Sequence, residues 1–166
     1  MAELRWKPSV TVAAIIERGG RYLLVEEMTS EGLRLNNPAG HLDPGESLMA
    51  AAARETLEET AHPFTPEALV GVYLARLAHV RTGEDITYLR FAFCGTVGEP
   101  IAGQTLDEPV VRTVWMTLDE VRASQARHRS PLVLQCIEEH HAGRRFPLAL
   151  LNTHDSVADL QDLLGK

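Results

Sequence analysis

The sequence predicts a mixed α and β fold, an α+β arrangement with strands before and after one central helix. Three observations predict it. A β-branched apolar run, SVTVAAII, fills Ser9 to Ile16, the composition of a buried strand. An alanine-rich stretch from Ser47 to about Thr60 follows a helix-start signal at Asp43. Three more apolar segments, Ala68–His79, Ile86–Val97 and Val110–Met116, come after that helix and read as strands.

Gly19-Gly20 separates the first run from RYLLVEE at Arg21 to Glu27, and two apolar runs about a glycine pair suggest a hairpin. Met28 to Asn37 is a looser segment leading into Pro38-Ala39-Gly40. Asp43 is expected as the helix N-cap, with Pro44 at the first helical position and Glu46 completing a capping box. Pro63 and Pro66 oppose continuation of that helix. Gly83 and the Gly98–Gly103 stretch supply turns between the later strands. Thr117-Leu-Asp-Glu120 is a second capping box that opens a short helix, and Ser130-Pro131 opens another that Gly143 closes. From Asp155, Val157, Leu160 and Leu164 recur at helical intervals.

With 166 residues and no repeat or linker, the chain is expected to form one domain over 1–166, since ordinary domains run roughly 100–200 residues. A net charge of -7 without a Lys/Arg cluster argues against long nucleic acid as a partner. Cys94 and Cys136 form no CxxC pair, MAELRWKPSV has no signal-like apolar core, and no run is long enough for a membrane span. A cytoplasmic setting is expected.

The chemistry concentrates on the central helix. At roughly 100° per residue, Glu55, Glu58 and Glu59 fall within an arc of about 100° on one face. Acids on a helix are usually a solvated face, and Arg54–Glu58 has ordinary i,i+4 ion-pair spacing. Crowded carboxylates also repel and raise one another's pKa unless a cation neutralises them. All-oxygen sets of this kind suit magnesium, with manganese the alternative. The wider spacing decides between the two readings: Gly40, five residues, Glu46, seven residues, Arg54-Glu55, two residues, Glu58-Glu59. Chance would produce it in a chain of this size on the order of once in a hundred thousand.

That spacing resembles the Nudix box, G-x5-E-x7-R-E-U-x-E-E-x-G-U, where U is a bulky aliphatic residue. Thr56, Ala61 and His62 depart from the pattern, and alanine at 61 is expected to end the helix differently from glycine. The segments WKPSVTVAAII, YLLVEE, NNPAGHLDPGESLMAAAARE, YLRFAF and RSPLVLQCIEEHHAGRRFPL are similar to NudJ-type phosphatases of the Nudix superfamily, and the tail 151–166 lies outside that likeness. Leu35 stands where those enzymes tend to carry tryptophan, removing a ring-stacking face.

The resemblance implies an α/β/α sandwich and a Mg²⁺-dependent hydrolase of small organic pyrophosphates. Glu55, Glu58, Glu59 and the Ala39 carbonyl would hold metal, with Glu46 and Arg54 bracing loop and helix around them. Gly40 would let backbone approach the phosphates, and Lys7, Arg90 and Arg129 could grip the distal phosphate. Glu55 and Glu59 are catalytic candidates. Glu108 is preferred as the base outside the helix, ahead of Asp107 and Glu120. Substrates would be nucleoside di- or triphosphates or thiamine-pathway pyrophosphates cleaved to free phosphate. Alternatives are internal cleavage, giving pyrophosphate or monophosphates, and a nucleotide sensor without turnover. Cys136 and His140 have a zinc-like spacing but too few partners.

Overall fold

A computed structural model describes residues 5–79 and 82–158. Among the described residues, nine strands and three α-helices follow one another as β1 (Ser9–Ile15), β2 (Glu17–Arg18), β3 (Arg21–Thr29), β4 (Gly32–Asn36), β5 (Ala39–His41), α1 (Leu48–Thr60), β6 (Phe64–His79), β7 (Glu84–Val97), β8 (Val110–Thr117), α2 (Leu118–Ala123), α3 (Leu132–His141) and β9 (Phe146–Pro147). The larger sheet has the order β5-β1-β7-β6-β9, with β1 parallel to β7 and every other pair antiparallel. In the second sheet β8 pairs along β3, while β2 and β4 pair with its two ends.

Period-two alternation in β1 serves two cores at once. Val12, Ala14 and Ile16 pack with Ala51 and Ala52 of α1, while Ala13 and Ile15 pack with Leu132, Val133, Cys136 and Ile137 of α3. The larger sheet therefore lies between α1 and α3, an α/β/α sandwich.

Four local expectations are corrected. The apolar runs about Gly19-Gly20 do not form one long hairpin. Only Glu17 and Arg18 turn back on β3, because β1 is taken up by β5 and β7 in the other sheet. The supposed loose segment after Met28 contains β4 and leads to β5. The N-cap of α1 is Ser47, whose side chain accepts from the Ala50 N–H, and not Asp43. Gly45 at φ +88 breaks the chain between them, although Glu46 still accepts from the Asp43 N–H at 2.8 Å. Finally, Ala61 adopts the left-handed conformation itself, φ 59 and ψ 10, and closes the helix onto the Leu57 carbonyl.

The second capping box is formed as read, Thr117 and Glu120 satisfying each other's backbone N–H at the start of α2. In the tail a short 3₁₀ turn covers Asp155–Val157. Leu160 and Leu164 lie outside the described residues.

The left-handed Ala61 yields a stability prediction. Alanine there costs about 1–2 kcal/mol, partly offset in glycine by unfolded-state entropy. Ala61→Gly should therefore stabilise by about 0.5–1 kcal/mol in urea unfolding, and a lower midpoint would refute the assignment of strain.

Candidate active site

Helix α1 reaches the site past β5, an edge strand of the larger sheet. The Ala39 N–H donates to Glu59 Oε2 at 2.9 Å. Next along the strand, Gly40 leaves space for Glu55. A Cβ on Gly40 would stand 2.0 Å from the Glu55 carboxyl carbon, so that position accepts no side chain unless Glu55 moves.

Arg54 organises the surrounding carboxylates. Its Nε and Nη2 donate to both oxygens of Glu46, at 3.0 and 2.7 Å, in a two-pronged contact. Nη1 donates to Glu55 at 2.9 Å and Glu58 at 3.0 Å, and Nη2 also reaches the His41 carbonyl at 3.0 Å. Loop and helix are thus joined through one guanidinium. Glu46 is held below the usual carboxylate range, chiefly by its hydrogen bonds from Arg54, and Arg54 is raised in return.

The cavity beside these groups has a volume of about 430 Å³, and its wall includes Glu27, Glu55 and Glu59. Glu27 comes from β3 and was not singled out in the sequence. Its only signal there was an acid pair ending an apolar strand. Asn36 Nδ2 donates to Glu27 Oε1 at 3.1 Å and Arg129 Nη1 to Oε2 at 3.0 Å.

Burial pushes the Glu59 carboxyl up to about 8, opposed by the Ala39 N–H and reinforced by the charges of Glu27, Glu55 and Asp107. Glu55 is also raised, mainly by burial, although Arg54 counteracts it. Among the described residues, no three His, Cys, Asp or Glu side chains are gathered tightly enough to hold a metal ion as they stand. Arg54 draws Glu55 and Glu58 to itself, and Glu58 is not on the cavity wall.

The other residues singled out in the sequence are placed as follows. Arg90 and Arg129 line the cavity, whereas Lys7 is exposed and not part of its wall. Burial lowers the pKa of Arg90 from the usual arginine value. Glu108 is exposed and its neighbour Pro109, not Glu108, meets the cavity. The segment is anchored by the Asp107 N–H on the Glu58 carbonyl at 3.0 Å. Glu120 is away from the cavity, capping α2 and pairing with Arg21. Leu35 is fully buried in the core, so the cavity's aromatic wall is instead Tyr88. Cys136 is buried, and His140 bonds Tyr22 at 3.0 Å and sits near a pKa of about 4 because of burial.

A family profile for the NUDIX domain matches residues 5–136, and the chain belongs to the Nudix hydrolase family. It is 32% identical over 146 residues to Phosphatase NudJ of Escherichia coli K12, covering 88% of this chain and 92% of that protein. Phosphatase NudJ of Shigella flexneri matches to the same extent, 32% over 146 residues. A solved NUDIX hydrolase from Nitrosomonas europaea is 51% identical with a TM-score of 0.82, covering 90% of this chain and 99% of that one. Among the described residues no helix is long and apolar enough to cross a membrane.

The raised carboxyl of Glu59 sets a pH dependence. Its folded value, about 8, exceeds the ordinary 4.5, so the folded state holds the proton more tightly. That contribution to stability is complete below the ordinary value and is lost as pH rises through the folded one. In metal-free buffer, the melting temperature of the native protein should therefore fall relative to Glu59→Gln between about pH 5 and 8. Parallel curves for the two proteins would contradict it.

Proposed function

We propose that the chain is a Mg²⁺-dependent phosphohydrolase, with Mn²⁺ able to substitute, that releases phosphate from small organic pyrophosphates such as nucleoside di- and triphosphates or thiamine-pathway pyrophosphates. The observation carrying this reading is the crowding of Glu55 and Glu59 on one cavity wall with the buried Glu59 carboxyl pushed up to about 8. Such a group lacks a cation. The donors fit a hard divalent ion: carboxylate oxygens of Glu55, Glu58 and Glu59 and the Ala39 carbonyl beside them. Glu58 would turn from Arg54 to join the set. When bound, the ion offsets phosphate charge and acidifies the attacking water.

The chain's own residues supply the rest. Arg54 and Glu46 hold the helix against the loop, keeping the carboxylates from splaying. Gly40 leaves the Glu55 carboxyl room against β5, and its bare backbone is the part of that strand we assign to the phosphates. Arg90 faces the substrate from the cavity wall, and Lys7 would act only on a group projecting out of it. A carboxylate takes the proton from water, and Glu59 is assigned that role because it stands on the cavity wall. Glu108 would serve only if its exposed segment turned inward.

A turnover screen with Mg²⁺ over thiamine pyrophosphate, hydroxymethylpyrimidine pyrophosphate, nucleoside di- and triphosphates and ADP-ribose, separating phosphate from pyrophosphate, tests the reading. Phosphate release is expected, and exclusive pyrophosphate or monophosphate release would overturn that part. Glu59→Gln should lower kcat by more than about 100-fold, beyond the loss typical of outer-shell partners, with the fold intact. Gly40→Ala should also lower turnover by displacing Glu55. An unchanged kcat in Glu59→Gln would sink the assignment.

A further inference from the structure

The larger sheet ends in β5 on one side and β9 on the other, and the chain after β9 runs from the second edge back to the first. It leaves β6 at Pro147, which pairs with Ala68. Ten residues later the Val157 carbonyl oxygen stands 4.0 Å from where a Cβ on Gly45 would be, and Gly45 lies four residues past the end of β5. Five strands span about 19 Å, at roughly 4.8 Å for each of four gaps. Ten residues reach about 33 Å at full extension, so the segment crosses the whole sheet with length to spare.

Its contacts place the crossing on the α1 side. Leu148 and Leu151 pack against the core formed there by Val12, Ala14, Ala51, Ala52 and Phe93. Between Leu148 and Ala158 the half-buried residues are Leu148, Leu151 and Val157, and the rest are exposed. The segment is therefore anchored on the core near its start and meets the loop at Gly45 near its end. A turn stiffens each place. The Leu151 N–H donates to the Leu148 carbonyl at 2.9 Å, and the Val157 N–H to the His154 carbonyl at 3.0 Å. His154 Nδ1 also accepts from the Ser156 N–H at 3.1 Å.

The loop at the far end is the one that carries Glu46. Leu42 is tied to β1 through the Val10 carbonyl at 3.1 Å, and Ser47 caps α1. Between them Gly45, at φ +88, brings no side chain of its own to pack. Glu46 holds the loop through the Asp43 N–H and Arg54, so the loop is positioned by the same acid that it must position. A contact from outside the loop removes that circularity.

We propose that the chain after β9 is a strap that positions the catalytic loop. Its outer turn, His154 to Ala158, seats against Gly45 so that Glu46 stays on Arg54, and Arg54 in turn keeps Glu55 and Glu58 together. Leu148 and Leu151 anchor the strap on the core. These are positioning residues, and none of them is on the cavity wall. The inference rests on the hydrolase reading only in making this loop catalytic, because the tie between strap and loop stands on its own.

Three substitutions in the full chain test it. Val157→Pro removes the N–H that closes the outer turn and opposes the helical backbone of Ser156. His154→Ala removes the cap of that turn, and Leu150→Ala changes an exposed residue of the same segment as a control. Hydrogen exchange of the metal-free proteins would compare the loop 42–47 with β7, and loss of the free Mn²⁺ paramagnetic signal would read binding of Mn²⁺ alone. Val157→Pro should speed loop exchange about tenfold, as a local opening does, with β7 unchanged. It should also weaken Mn²⁺ binding about tenfold, the lower end of the range for outer partners of a metal site. His154→Ala should move both readouts the same way by a smaller factor, and Leu150→Ala should match the native protein. Unchanged loop exchange and Mn²⁺ affinity in Val157→Pro would overturn the proposal. So would faster exchange throughout the larger sheet with a lower melting temperature, which would make the tail a general support of the fold. Faster loop exchange at full Mn²⁺ affinity would overturn the action through Glu46. A native protein that binds no Mn²⁺ and turns over no pyrophosphate, yet shows the loop effect, would sink the hydrolase reading and leave the strap standing.

Discussion

Everything at the site depends on how one guanidinium is shared. Arg54 is on the same helix as Glu55 and Glu58 and across a loop from Glu46, and it bonds to all three. Without it, those three acids would repel one another across loop and helix. With it, the loop from Gly40 to Glu46 is drawn against α1, and α1 is fixed where Glu59 meets the Ala39 N–H. Arg54 does not reach Glu59, however, and burial pushes that carboxyl up to about 8 with only the Ala39 N–H opposing it. The helix is therefore braced at one end of its acidic stripe and left electrostatically open at the other. A divalent ion would complete it there.

The sheet arrangement explains why this stripe faces a cavity at all. The edge strand β5 is three residues long, so α1 on one side of the sheet can present carboxylates around it to the space on the other side. The loop after β7 covers the far end of α1, donating from Gly98, Ile101, Gln104 and Asp107 to carbonyls from Leu57 to Pro63. The cavity wall combines acids with apolar side chains, Glu27, Glu55 and Glu59 together with Leu77, Ile86 and Tyr88 of the β6–β7 hairpin.

Local signals made the helices and most strands legible. The Nudix box, the Thr117 capping box and the Ser130-Pro131 start depend on neighbours within a few residues, and sequence reports such neighbours directly. Non-local pairing was less legible. Nothing near Ile16 tells the chain to change sheets, because both sheets accept β-branched residues and the choice is made by β7, some 75 residues later. Gly32-Leu-Arg-Leu-Asn36 reads as loop for want of β-branched residues, yet it pairs with β3 throughout. The same limit applied at the site. Glu55 and Glu59 were visible as a motif on one helix. Glu27, Thr11, Asn36 and Ser130 belong to the cavity only because four separate segments converge, and each alone is an unremarkable strand or turn residue.

That contrast separates two kinds of constraint on the chain. The box fixes its residues through one another: Gly40 admits Glu55, and Arg54 needs Glu46. A change at one is felt by the others, and the pattern is tight enough to read in a single sequence. The rest of the cavity wall is different. Thr11, Asn36, Arg90 and Ser130 come from separate elements, and the burial that lowers the pKa of Arg90 is opposed by Cys136, Glu27 and Glu59. These residues meet only once the strands have paired, so each depends on the whole fold and not on its neighbours in the chain.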